Sequence, residues 1–122
     1  MQRTVLIVED EFLIAMHLQR LLEEHGWRVI GPVATVRAAL RLLEEKLPDV
    51  ALLDVNLGRE MVTPVAEALR ARSVPFAIAS AYERPERFAG EVLAGAVNVG
   101  KPAVERRLLA ALRQLIDREP VG

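Results

Sequence analysis

A chain of 122 residues is of single-domain size and long enough to bury a continuous core. Hydrophobic residues make up 52% of it but aromatics only 4%, so Val, Leu, Ile and Ala must fill that core. The net charge of −1 argues against general nucleic-acid binding, and the lack of cysteine removes disulfides and thiolate metal sites. No apolar stretch approaches the roughly 18 residues of a membrane span. The N-terminal apolar run is too short for a signal peptide and ends in acids, so a cytoplasmic domain is expected.

The first predicted strand, Thr4–Val8, is an apolar run that stops abruptly at Glu9-Asp10-Glu11. Such a run fits a strand buried on both faces of a parallel sheet, with the acids at its carboxyl end. Ile14, Leu18, Leu21 and Leu22 then repeat at helical spacing until Gly26. A second strand is expected over Arg28–Val33. Val36, Leu40, Leu43 and Leu47 mark a second helix, broken by Pro48-Asp49, and Val50–Val55 is the third strand.

Pro64 suits the first turn of a third helix carrying Val62, Ala66 and Leu69, followed by a strand over Pro75–Ser80. In the stretch Glu83 to Gly95, Pro85 is read as opening a short helix through Phe88, Val92 and Leu93, weakened by Gly90 and Gly95. Ala96–Val99 is the last strand. Val104, Leu108, Leu112 and Leu115 mark a final amphipathic helix, with Arg106, Arg107 and Arg113 left for solvent. Five β-α units imply an α/β fold: a doubly wound parallel sheet with right-handed crossovers and helices on both faces. One domain over 1–122 is expected, with its core in 4–117 and a frayed tail at 119–122.

In a parallel sheet the carboxyl ends of all strands share one edge, where open α/β sheets bind ligands. That edge would gather Glu9, Asp10, Glu11, Asp54, Ser80 and Lys101. Neighbouring carboxylates repel: two charges about 5 Å apart at an effective dielectric near 20 cost roughly 3 kcal/mol. A cation relieves that cost, and Mg²⁺ suits such oxygen ligands. The group fits phosphoryl transfer to a carboxylate, with Asp54 as nucleophile, Lys101 holding a phosphoryl oxygen and Ser80 donating a hydrogen bond once the group is present. Each residue alone has a plainer role. The acids favour a helix N-terminus, and Ser80 and Lys101 are ordinary loop and surface residues. His17 and His25 read as solvated, with no second ligand spaced for zinc, and the pairs Arg84/Arg87 and Arg106/Arg107 read as solvated faces.

The motifs Val8-Glu9-Asp10-Glu11, Leu52-Leu53-Asp54-Val55-Asn56, Ser80-Ala81 and Lys101-Pro102, in this order on these strand ends, resemble the receiver domains of two-component response regulators. The resemblance implies a flavodoxin-like (βα)5 fold and Mg²⁺-dependent transfer from a histidine kinase or phosphotransfer protein to Asp54. It implies metal ligation by Glu9, Asp10, Asp54 and the Asn56 carbonyl, a switch hydroxyl at Ser80, a phosphate-binding Lys101, and a cis bond before Pro102. Leu13-Ile14-Ala15-Met16, Gly31-Pro32, Asp54-Val55-Asn56-Leu57 and Val74-Pro75-Phe76 further resemble the alphaproteobacterial "FAT GUY" single-domain receivers. Those usually carry Thr-Gly-Tyr where this chain has Ser80-Ala81-Tyr82.

Asn98 stands where many receivers place an aromatic switch, so the common aromatic coupling is not expected; Tyr82 is a candidate to take over part of that role. Glu9 replaces a frequent Asp, and Ala103 a frequent Phe. The favoured reading is a stand-alone signalling receiver, not an enzyme beyond its own phosphotransfer and autodephosphorylation. It would work through an unidentified downstream protein as a monomer or weak dimer, without contacting nucleic acid or membrane. No output domain fits after Leu115, so output is expected in trans. The alternatives are an interaction module indifferent to phosphorylation, and a small Mg²⁺-dependent phosphohydrolase. The hydrolase would need a substrate cap and a second acid where Asn56 stands. A nucleotide-binding reading fails for want of a Gly-rich phosphate loop.

Overall fold

The computed structural model describes residues 2–82 and 84–117; Glu83 and the tail at 119–122 lie outside the described residues. The chain runs β1 (Thr4–Val8), α1 (Phe12–Glu24), β2 (Arg28–Val33), α2 (Val36–Glu45), β3 (Val50–Asp54), β4 (Asn56–Leu57), β5 (Glu60–Met61) and α3 (Thr63–Ala71). It continues with β6 (Phe76–Ala79), α4 (Glu86–Ala89), a 3₁₀ turn (Glu91–Leu93), β7 (Val97–Asn98) and α5 (Glu105–Ile116). Five strands form a parallel sheet in the order β2-β1-β3-β6-β7, the flavodoxin-like arrangement expected. The order reverses beside β1, and ligands bind at such switch points.

Alternation along each strand divides the core. Val5 and Ile7 of β1 face Leu18, Leu22, Leu108 and Leu112 of α1 and α5. Leu6 and Val8 face the other way, onto Ala39 and Leu43 of α2 and Val65, Ala66 and Leu69 of α3. Burying each such Leu contributes roughly 1.5–3 kcal/mol, so both layers clamp β1 and β3 and fix where their carboxyl ends stop.

Several boundaries differ from the sequence reading. The α2 helix stops at Glu45, leaving Leu47 outside it and 48% exposed. Val62 is fully buried but precedes α3, where Pro64 occupies the first turn. The fourth helix is a single turn. Gly90 at φ +107° ends it, and α3 grips the segment: the Thr63 hydroxyl donates to Ala89 O and Arg70 donates to Val92 O at 3.0 Å. The last strand shrinks to two residues between Gly95 and Gly100. The antiparallel pair β4–β5 was not foreseen.

Two X-Pro bonds are cis, Gly31–Pro32 and Lys101–Pro102, the second as the resemblance implied. At Gly31 the backbone has φ +90°, and a Cβ there would sit 2.9 Å from Val33 N and 3.2 Å from Ile7 O. The β1–β2 register shifts over this stretch, and Val33 O then accepts the Glu9 N–H at 2.9 Å. Gly31→Ala is therefore expected to cost more than about 1 kcal/mol, read as a lower urea midpoint with unchanged slope. A midpoint equal to the wild type's would refute the close approach.

Candidate acidic phosphoacceptor site

The site forms where β1 and β3 end side by side, Val8 paired with Leu53. Glu9 and Asp54 are each only 3% exposed, whereas Asp10 is exposed. One carboxylate oxygen from each of Glu9, Asp10 and Asp54 lies within 4.8 Å of the others. The acids do not serve mainly as helix caps. Glu11, at the N-cap of α1, makes no side-chain cap, and Glu9 spends one oxygen on the Glu11 N–H at 3.1 Å.

Lys101, from the loop after β7, supplies the counter-charge. Its Nζ donates to Asp54 Oδ2 at 2.9 Å and lies 3.7 Å from Glu9 Oε1 and 3.6 Å from Glu11 Oε1. Burial works against its charge, but the hydrogen bond and attraction of Asp54, with Glu9 and Glu11, hold the ammonium above the usual lysine range. One ammonium does not neutralise the group. Burial above all, then the neighbouring Asp54, raises Glu9 to about 7 despite the opposing Glu11 N–H and Lys101. A carboxyl raised by burial and by a neighbouring acid, beside two more oxygen donors, fits a hard divalent cation such as Mg²⁺.

The second oxygen of Asp54, Oδ1, meets only the Asn56 N–H at a long 3.4 Å among its described side-chain hydrogen bonds. The β4–β5 hairpin runs beside Asp10. A Cβ on Gly58 would lie 3.7 Å from Asp10 Oδ2, and Glu60 accepts the Val36 N–H at 3.3 Å, tying the hairpin to α2. Asn56 itself is exposed.

Ser80 is 5% exposed and follows Ala79, the strand partner of Asp54. Its Oγ accepts the Tyr82 N–H at 3.0 Å. Tyr82 is 58% exposed, with Ala81 exposed beside it. Asn98 braces this turn. Its Oδ1 accepts from Ser80 N–H (3.1 Å) and Gly100 N–H (2.9 Å), and its Nδ2 donates to Tyr82 O (3.0 Å). Sequence reasoning treated Asn98 as the loss of an aromatic and missed this brace. His25 also has partners: its Nδ1 pairs with Leu21 O at 2.9 Å and its Nε2 lies 3.8 Å from Glu105.

A doubly wound sheet with an acidic cluster, an adjoining lysine and a hydroxyl at its carboxyl edge is the architecture of a response regulator receiver. The model of the response regulator receiver domain matches residues 5–113, and the chain belongs to that family. The phyllosphere-induced regulator PhyR of Methylorubrum extorquens is 36% identical over 120 residues, covering 95% of this chain and 44% of PhyR. The transcriptional regulatory protein PdtaR of Mycobacterium tuberculosis is 30% identical over 95% of this chain and 58% of PdtaR. This chain thus spans about half the length of these curated relatives. The solution structure of SdrG from Sphingomonas melonis Fr1 superimposes with a TM-score of 0.78 at 40% identity, over 94% of this chain and 97% of SdrG. Its BeF3-activated conformation matches with a TM-score of 0.75 at 39% identity, over 93% of this chain and 95% of that one. Among the described residues, no helix is long and apolar enough to cross a membrane.

Proposed function

We propose that the protein accepts a phosphoryl group on Asp54 from a histidine kinase or phosphotransfer protein in a Mg²⁺-dependent reaction, and signals by binding another protein. The observation that carries this reading is the cluster itself: Glu9, Asp10 and Asp54 within 4.8 Å, with Lys101 on Asp54. The carboxylate of Asp54 attacks the phosphorus of phosphohistidine. The new O–P bond forms as the N–P bond breaks, and its electron pair returns to the imidazole. Oδ1 is the freer oxygen to attack, since Lys101 holds Oδ2.

Glu9, Asp10, Asp54 and the Asn56 carbonyl are the residues that would hold Mg²⁺, which supplies charge neutralisation for the incoming group. Lys101 then moves its hydrogen bond to a phosphoryl oxygen. Ser80 donates its hydroxyl to another while still accepting from Tyr82 N–H, so the loop carrying Tyr82 follows it. The likeness to SdrG, of which a BeF3-activated conformation is known, supports phosphoryl-dependent switching.

Incubation with acetyl phosphate and Mg²⁺ tests the reading by intact mass. One added phosphoryl group that is stable to acid, labile to base and absent from Asp54→Asn is expected. An unmodified wild-type mass would instead favour an interaction module indifferent to phosphorylation.

A further inference from the structure

The β6–β7 ladder closes with Val99 N–H donating to Ile78 O at 2.8 Å, and there the backbone pairing ends. The next donor along β6, Ser80 N–H, is taken by the Asn98 side chain, not by backbone. The same Oδ1 atom also takes Gly100 N–H, one residue before Lys101. A single oxygen therefore joins the segment carrying the Ser80 hydroxyl to the segment carrying the Lys101 ammonium. The other end of the carboxamide holds Tyr82 O, and Tyr82 N–H holds Ser80 Oγ, so the serine is fixed on both sides of its turn.

We propose that Asn98 is a positioning residue: its carboxamide sets the spacing between Ser80 and Lys101 so that both reach a phosphoryl group on Asp54. This rests on the reading of Asp54 as phosphoacceptor and names the residue that shapes the pocket around it. Asn98 touches neither Asp54 nor the incoming group; it acts through two backbone amides. The rotating aromatic that many receivers carry here is replaced by a fixed polar brace, so the two loops move together. Its described hydrogen bonds avoid Glu9, Asp10 and Asp54, so it acts on the site only through the segments carrying Ser80 and Lys101.

The test uses beryllofluoride with Mg²⁺ as probe, on the wild type, Asn98→Ala and Asn98→Asp, with amide spectra of each. In Asn98→Ala, two backbone donors lose their shared acceptor, and beryllofluoride affinity is expected to fall about tenfold. The Ser80 and Gly100 amide protons should move upfield together, which a loss of stability alone would not produce. Asn98→Asp keeps the shared oxygen, so it should retain both amide positions and bind beryllofluoride more tightly than Asn98→Ala. Should Asn98→Ala not fold, the amide positions in Asn98→Asp decide alone, and an upfield move of both overturns the brace. Equal affinity in wild type and Asn98→Ala overturns the positioning role while the Asp54 reading stands. No beryllofluoride binding by the wild type overturns both.

Discussion

Taking the metal-free protein from about pH 5 to about pH 8 should weaken its fold by roughly 2 kcal/mol, and Glu9→Gln should abolish most of that loss. Glu9 is raised from 4.5 to about 7 in the folded protein, chiefly by burial. Between those values the folded state binds more protons than the unfolded chain, so stability falls as pH rises through the interval. The contribution is intact below the lower value and gone above the upper one. Mg²⁺ should reverse the trend, because it binds the ionised group: at a hundredfold excess over its dissociation constant it adds about 2.7 kcal/mol. Urea midpoints at both pH values, with chelator or with Mg²⁺, read all of this. A flat pH profile in chelator would show that Glu9 is solvated.

Lys101→Ala is expected to act in opposite directions on fold and metal. Three carboxylates lie within 3.7 Å of the Lys101 ammonium, so deleting it leaves buried Glu9 and Asp54 without their counter-charge. Breaking a buried pair costs several kcal/mol; with the Lys101 side chain 23% exposed, roughly 2 kcal/mol is expected in chelator. Mg²⁺ affinity should rise about tenfold, since a repelling cation has gone. Phosphorylation of Asp54 should remain detectable but no longer change partner affinity. Calorimetric titration separates these effects, and weaker Mg²⁺ binding by the variant would contradict the charge argument.

Much of the fold was legible because buried parallel strands are short apolar runs with sharp ends. Val5–Val8 and Val50–Leu53 stop at acids, and those stops became the site. The layer assignment was less visible: nothing in the repeat of Leu18, Leu22, Leu108 and Leu112 says that α1 and α5 share a face, which follows from strand order. The fourth helix resisted reading because tertiary grip, not local propensity, shapes it, through Thr63 and Arg70 of α3. The β4–β5 hairpin is two residues per strand, too short for alternation to show, although Leu57-Gly58-Arg59-Glu60 contains a turn glycine.

The structure brings Glu9, Asp10, Asp54 and Lys101 together, and these were legible because charged groups at strand ends advertise themselves. Asn98 was not. A neutral amide in a strand carries no signal until its partners, Ser80, Gly100 and Tyr82, are seen around it. The third ion-pair partner of Lys101, Glu11, was also missed as such, being read only as part of the acidic run.

The most direct measurement reduces the product formed with acetyl phosphate by borohydride, which converts an aspartyl phosphate to homoserine, and locates the change by peptide sequencing. Homoserine at position 54 alone, formed with Mg²⁺ and lost with chelator, is the expected result. Modification of Glu9, Asp10 or any other acid in its place, or labelling of Asp54 that ignores Mg²⁺, would contradict a single cation-dependent centre.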